Sequence, residues 1–180
     1  MGEDTGLYAP FNLIVTHLPG FPNKRDAIRH LQWLLDDVEI VESRPNILLA
    51  RVPDPDEAVE RLRRSLPSET PILRVIPVHA VTYPRVEKVK TVIDNLLGKA
   101  PPGSFAIRID GHLLDSESRM MHKTDAAVVL AEGVERPVNL SSPDILVYIK
   151  IVRYRRSYLA AVYVGPPDRI LSVSKLRGGR

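Results

Sequence analysis

The sequence predicts a mixed α/β protein of the α+β kind, built from two successive units. Three observations predict it. Residues 11–83 alternate between strand-like and helix-like apolar patterning in the order β-α-β-β-α-β. From Pro84 a second series begins, and it ends in two long strand-like runs joined by a short turn. Charge divides at the same place: residues 1–84 carry 9 basic and 12 acidic side chains, net −3, whereas residues 85–180 carry 16 and 10, net +6.

Composition sets the outer limits. With 180 residues, 44% of them apolar and 26% charged, the chain can bury a sizeable core. No stretch approaches the roughly 18 apolar residues that a membrane-spanning helix needs. Residues 1–10 include Glu3 and Asp4 and no apolar segment, so they read as a flexible leader and not as a secretory signal. The absence of cysteine rules out disulfides, thiolate nucleophiles and cysteine-held zinc, and a cytoplasmic location is the expectation.

In the first unit, Phe11 to His17 is an apolar run with β-branched members, ended by Leu18-Pro19-Gly20-Phe21-Pro22. Asn23 is the expected cap of a helix reaching about Asp37, with Ile28, Leu31, Leu35 and Val38 on one face. Trp33 beside that stripe is expected to pack inward, as most helical aromatics do. Val38 to Ser43 and Asn46 to Val52 flank Arg44-Pro45 and read as a hairpin. Asp54-Pro55-Asp56-Glu57 then supplies an acidic cap, a proline at the first helical position and a glutamate two further on. Val59, Leu62 and Leu66 mark that helix's face, Pro67 stops it, and Pro71 to Tyr83 reads as one extended segment. The order is that of a ferredoxin-like split βαβ unit over residues 11–83, a fold that does not specify function.

In the second unit, Val86, Val89, Ile93, Leu96 and Leu97 line a helix from Arg85 to Leu97, followed by a Gly- and Pro-containing loop. Ser104 to Asp110 alternates as a half-buried strand with Arg108 on the open face. Asp115 or Ser116 is the expected cap of a helix to about Leu130, with Met120, Met121, Ala127 and Val128 facing the core. Val138 to Leu140 reads as a short strand. Ile145 to Arg153 and Tyr158 to Val164 are the long runs, and the turn between them presents Arg155 and Arg156.

Charge inside this half is concentrated further. Lys150 to Arg180 holds Lys150, Arg153, Arg155, Arg156, Arg169, Lys175, Arg177 and Arg180 against Asp168 alone. A one-signed patch on an otherwise balanced domain most often meets a polyanion, above all nucleic acid, although a solvated face is the plain alternative. Arginine outnumbers lysine 18 to 7 in the chain, which suits forked phosphate contacts and stacking on unpaired bases. The tyrosines of the hairpin interleave with these arginines. Alternating strand tyrosines are as often core, so Tyr154 alone is taken as a binding residue.

Several segments together carry a family resemblance. They are the strand Ser104-Phe105-Ala106-Ile107-Arg108, the polar segment with Ser116, Glu117 and Lys123, the run Val138-Asn139-Leu140-Ser141-Ser142-Pro143-Asp144 leading into Ile145–Ile149, and the hairpin after it. From about residue 75 to 175 the chain resembles the THUMP domain, an RNA-binding α/β module of tRNA-modifying enzymes. Asn139 stands where the family pattern has aspartate, and its glycine-rich close is only Gly165-Pro166-Pro167. The resemblance implies a THUMP RNA-binding domain over 84–176 with a basic tail at 177–180. The whole layout is most similar to stand-alone THUMP proteins related to the adaptor for tRNA cytidine N4-acetylation. It implies a tRNA partner held near its acceptor end, and a tRNA acetyltransferase or other tRNA-modifying enzyme as client. The net-acidic first half is the candidate docking face for that client.

Reactive motifs are scarce. There is no G-x-G-x-x-G, P-loop or G-x-S-x-G, so no enzymatic activity and no cofactor are expected. Asp110, His112, Asp115, His122 and Asp125 are the best metal candidates, yet their spacing imposes no shared ligand geometry, and polar surface residues are the expected reading. His17, His30 and His79 stand apart and read as ordinary, partly buried histidines. The expected function is non-catalytic tRNA binding, with Arg153, Arg155, Arg156, Lys175 and Arg177 as first contacts and Arg108, Arg119, Lys123 and Tyr154 beside them; neither DNA nor membrane is an expected partner. Two alternatives remain at this stage: a ferredoxin-like homodimer sensing a small ligand, and a metal-dependent hydrolase using Asp110, His112 and His122.

Overall fold

A computed structural model describes residues 9–178, with side chains placed as far as residue 175. Apart from residues 9 and 10, the expected leader lies outside the described residues, as do the side chains of the 177–180 tail. Two compact units are present: Pro10–Val78 together with the segment from Asp168 onward, and His79–Pro167.

The first unit runs β1 (Leu13–His17), α1 (Phe21–Leu34), β2 (Glu39–Arg44), β3 (Ile47–Arg51), α2 (Pro55–Ser65) and β4 (Ile72–Pro77). Its antiparallel sheet has the order β2-β3-β1-β4, with β9 (Leu171–Ser172) added beyond β4. This is the ferredoxin-like arrangement. α2 begins as its sequence dictates: the Asp54 carboxylate accepts from the backbone N–H of Asp56 (3.1 Å) and Glu57 (3.2 Å), and proline occupies the first turn. Ala27 and Leu31 of α1 and Val59 and Leu62 of α2 close over Leu13, Val15, Leu48 and Val75 of the sheet.

The second unit runs β5 (Ala80–Thr82), α3 (Val86–Gly98), β6 (Phe105–Asp110), α4 (Lys123–Ala131), β7 (Ile145–Tyr154) and β8 (Ser157–Gly165). The sheet order is β5-β8-β7-β6; β6 and β7 are parallel and the other pairs antiparallel. Val89 and Ile93 of α3 and Ala126 and Leu130 of α4 bury one face of this sheet on Phe105, Val147, Ile149 and Val162.

The structure departs from the sequence-based expectations at definite places. Residues 71–83 form two strands in two different sheets, so the division falls at Val78/His79 and not at 83/84. The terminal segment belongs to the first unit: β9 pairs with β4, and Leu171 and Val173 are buried in the first core, which removes 168–176 from the second. α1 starts at Gly20, whose φ of 105° makes the turn, with Pro22 tolerated in the first turn; the Asn23 amide instead donates to the Pro19 carbonyl. No helix starts at Asp115. Its carboxylate accepts from the N–H groups of Glu117 and Arg119, Ser118 adopts φ 62°, and the tight turn so formed defers α4 to Lys123. Met120 and Val128 are accordingly exposed, and Ala126 and Leu130 face the core. Val138 makes a single bridge to Phe105, and Leu140 is exposed. Trp33 lies two residues past Leu31, about 200° round the helix, and is 83% exposed. No helix among the described residues is long and apolar enough to cross a membrane.

Candidate nucleic-acid interface

The β7–β8 hairpin is the natural starting point, because it is long, regular and basic at its tip. Its register is unbroken from Leu146↔Gly165 to Tyr154↔Ser157, leaving Arg155 and Arg156 as a two-residue turn. Arg155 adopts φ 54° and Arg156 does not have positive φ, a sign pattern that normally selects glycine at the first turn position. The Arg155 guanidinium lies 5.1 Å from the centroid of the Tyr154 ring, within cation–π range. Arg153 and Tyr158 are paired across the strands and share one face, continuing the row of Ile149 and Ile151 beyond the helices; Tyr154 lies on the other face. Arg153, Arg155, Arg156 and Tyr158 are all exposed.

Other tyrosines of the hairpin have structural work. Tyr148 and Tyr163 are 2% and 1% exposed. The Tyr163 hydroxyl donates to the Pro166 carbonyl at 2.5 Å, and its ring lies 4.9 Å from that of His79.

Loop 111–122 departs from the end of β6 beside this hairpin. Gly111, at φ 110°, passes so close to β7 that a Cβ there would sit 2.7 Å from the Ile151 Cβ. Arg119 in the loop is exposed and ion-paired with Glu117. Lys123 opens α4, and its charge reaches Asp110. Asp110 anchors this end of the sheet: its carboxylate accepts from the Lys150 ammonium at 2.6 Å and the Tyr148 hydroxyl at 3.2 Å. The Lys150 hydrogen bond, with that lysine's charge, holds the Asp110 carboxyl below the usual carboxylate range against the opposing effect of burial; Tyr148 and Lys123 add to the lowering.

Several basic groups of this unit are thereby committed internally. Lys150 is held by Asp110. The Arg136 guanidinium donates to the carbonyls of Leu97, Ala100 and Pro101 at the end of α3, and Lys90 donates to Asp94 and to the carbonyls of Leu130 and Glu132. Of the sequence-predicted contacts, the structure gathers Arg153, Tyr154, Arg155, Arg156, Arg119 and Lys123 at one end of the second sheet. Arg108 is exposed but lies opposite Tyr148, roughly 20 Å back from Tyr154 at about 3.3 Å per strand residue. Lys175 is on α5 (Val173–Gly178), in the first unit, and the Arg177 side chain lies outside the described residues. The basic run of 150–180 is therefore divided between two units, because Leu171 and Val173 are needed in the first core. Tyr158, which the sequence reading leaves out in taking Tyr154 alone, is exposed directly opposite Arg153.

The Asn-Leu-Ser-Ser-Pro-Asp element is architectural. The Asn139 Oδ1 accepts from the N–H groups of Ser141 (3.2 Å) and Ser142 (3.0 Å), which an aspartate oxygen would do equally well. Asp144 accepts from the Ser104 N–H and hydroxyl and ties the start of β7 to that of β6; it packs so closely on Gly103 that a Cβ there would lie 2.8 Å away. The metal candidates are not gathered: Asp110 faces Lys150, Asp115 caps its own turn, and no group of three or more potential ligands forms among the described residues.

No protein-family model and no curated protein sequence matches the chain significantly. Solved structures do share its fold. The crystal structure of PH1313 from Pyrococcus horikoshii Ot3 superposes with a TM-score of 0.63 at 14% identity, over 86% of this chain and 54% of that one. A 4-thiouridine synthetase, solved as an RNA complex with bound ATP, superposes with a TM-score of 0.52 at 13% identity, over 87% of this chain and 42% of that one. The chain thus spans about half the length of the structures it matches. At these identities the likeness is one of fold, and that fold is the THUMP-like α/β arrangement with a ferredoxin-like first unit.

Proposed function

We propose that this protein binds tRNA through the β7–β8 hairpin and the adjoining loop 111–122, and presents it to a separate tRNA-modifying enzyme, a cytidine acetyltransferase, without catalysing a reaction itself. The observation that carries the reading is Arg155. A two-residue turn places an arginine in the left-handed region, which disfavours L side chains by about 1–2 kcal/mol, and Arg153 and Arg156 flank it in the open. Phosphate binding gives those side chains a use that turn formation does not. The fold supports the same reading, since it is shared with a synthetase solved bound to RNA.

Binding of this kind is electrostatic first. Guanidinium groups displace counterions from phosphates, and affinity falls steeply as salt rises. Tyr154 and Tyr158 offer ring faces to unpaired bases, so selection would rest on shape and on accessible single strands more than on a base code. A gel shift of the full chain with tRNA over a salt series tests the binding step; affinity unaffected by Arg155→Glu/Arg156→Glu would refute this site. The adaptor step is tested with acetyl-CoA, tRNA and a cytidine acetyltransferase: modification is expected only when the acetyltransferase is present and is expected to rise with this protein, and acetylation by the protein alone would sink it.

A further inference from the structure

The solvent face of α1 carries a pattern that the hairpin does not explain. Phe21, Arg25, Arg29 and Trp33 recur every four residues and are all exposed, the two aromatics at 74% and 83%. Side chains four apart on a helix are neighbours, so the four form a continuous stripe about 18 Å long, with an aromatic at each end and two guanidinium groups between. Both arginines pair with Asp26, at 3.7 Å and 4.0 Å, long separations between half-exposed groups that leave the cations largely available. Gln32, also exposed, adds an amide beside Trp33. Residues 1–84, the stretch that includes α1, carry a net charge of −3, yet this face is basic.

We propose that the α1 stripe is a second RNA-contact surface, which takes unpaired nucleotides by stacking bases on Phe21 and Trp33 and holding the intervening phosphates with Arg25 and Arg29. The proposal rests on the RNA-binding reading of the chain but uses a site separate from the hairpin. Aromatic faces interleaved with cations along a line are what a single strand requires: every base has a face to stack, and successive phosphates need successive positive charges. A protein partner would also bury Trp33, but it would not call for two arginines spaced between the aromatics.

Trp33 is the only tryptophan of the chain, so its fluorescence reports on this stripe alone. The full chain is titrated at low salt with a uridylate dodecamer, whose bases are unstacked, and in parallel with tRNA. Saturable quenching of Trp33 that is reversed by salt is expected. Arg25→Glu/Arg29→Glu should weaken it at least tenfold, and Trp33→Ala, followed by anisotropy of labelled RNA, should weaken binding about tenfold. Because all four side chains are exposed, the variants should keep the native thermal melt. Quenching that survives Arg155→Glu/Arg156→Glu supports an independent site, and quenching by the dodecamer without any tRNA gel shift supports the stripe while refuting the hairpin reading. Bound tRNA with a silent Trp33, or a Trp33 that responds to an added acetyltransferase and not to RNA, overturns the stripe and leaves the hairpin reading intact.

Discussion

Two hairpins in this protein solve the same turn problem with opposite chemistry. β2 and β3 are joined by Pro45-Asn46, where Asn46 takes φ 67°. Proline presets the first position and asparagine tolerates the left-handed second, so that turn is made of residues suited to it. β7 and β8 are joined by Arg155-Arg156, where an arginine takes φ 54°. The backbone does not favour arginine there; what the side chain gains locally is the Tyr154 ring beneath its guanidinium. The first turn is accounted for by its backbone; on the proposed reading, the second is accounted for by what its side chains display.

The contrast can be broken most directly by charge. Arg155→Glu/Arg156→Glu replaces two cations with two anions at the tip and should weaken tRNA binding a hundredfold or more at low salt, measured by gel shift; Asn46→Asp, at the other tip, should leave affinity unchanged. Counting charges sharpens it. Arg156→Gln should lower the slope of log affinity against log salt by about one, the signature of one lost phosphate contact, whereas Arg136→Gln should lower thermal stability with no change of slope, because its guanidinium is bound to carbonyls at the end of α3. Stacking is the next largest effect: Tyr158→Ala should cost about 1–2 kcal/mol of affinity for single-stranded RNA, read by anisotropy, with little loss of stability at a 57% exposed position.

Arg155→Gly tests the strain itself. Relief of about 1–2 kcal/mol outweighs the roughly 0.5–1 kcal/mol of extra chain entropy that glycine brings to the unfolded state. The melting temperature should therefore rise by about 2 °C while tRNA affinity falls. A variant that loses both would mean that the turn was not strained. The smallest effect concerns Asp110. A carboxyl held below its usual range is ionised in the folded chain where the unfolded chain would take up a proton, so its contribution is whole above about pH 4 and fades as pH falls through the folded value. Asp110→Asn should flatten that acid limb in a series of melts below pH 4, and it should leave Lys150 without its carboxylate partner.

Local patterning made much of this architecture legible. Asp54-Pro55 started α2 where it was expected, and the β-α-β-β-α-β order gave the first sheet its arrangement. Failures came where a partner far along the chain, or one atom of a side chain, decides the outcome. Leu171 and Val173 look like part of a basic tail until β4 and the first core claim them. Asp115 looks like a helix cap until its carboxylate closes a turn with Arg119. Trp33 looks like core because aromatics mostly are, and only the phase set by Ala27 and Leu31 turns it outward. The arginines of the hairpin tip were visible in sequence. The left-handed backbone beneath Arg155 was not, since Arg-Arg is no turn signature.

The return of β9 to the first sheet also governs how the chain is made. In sequence, His79–Pro167 is inserted between the two segments of the first unit, and within it the His79 N–H donates to the Val162 carbonyl of β8. Because Leu171 and Val173 follow the whole second unit in the chain, the first core is completed only by residues synthesised after that unit, which departs from simple amino-to-carboxyl domain folding. Chains truncated after Pro167 should therefore hold a finished second unit beside a first one whose β4 edge lacks β9.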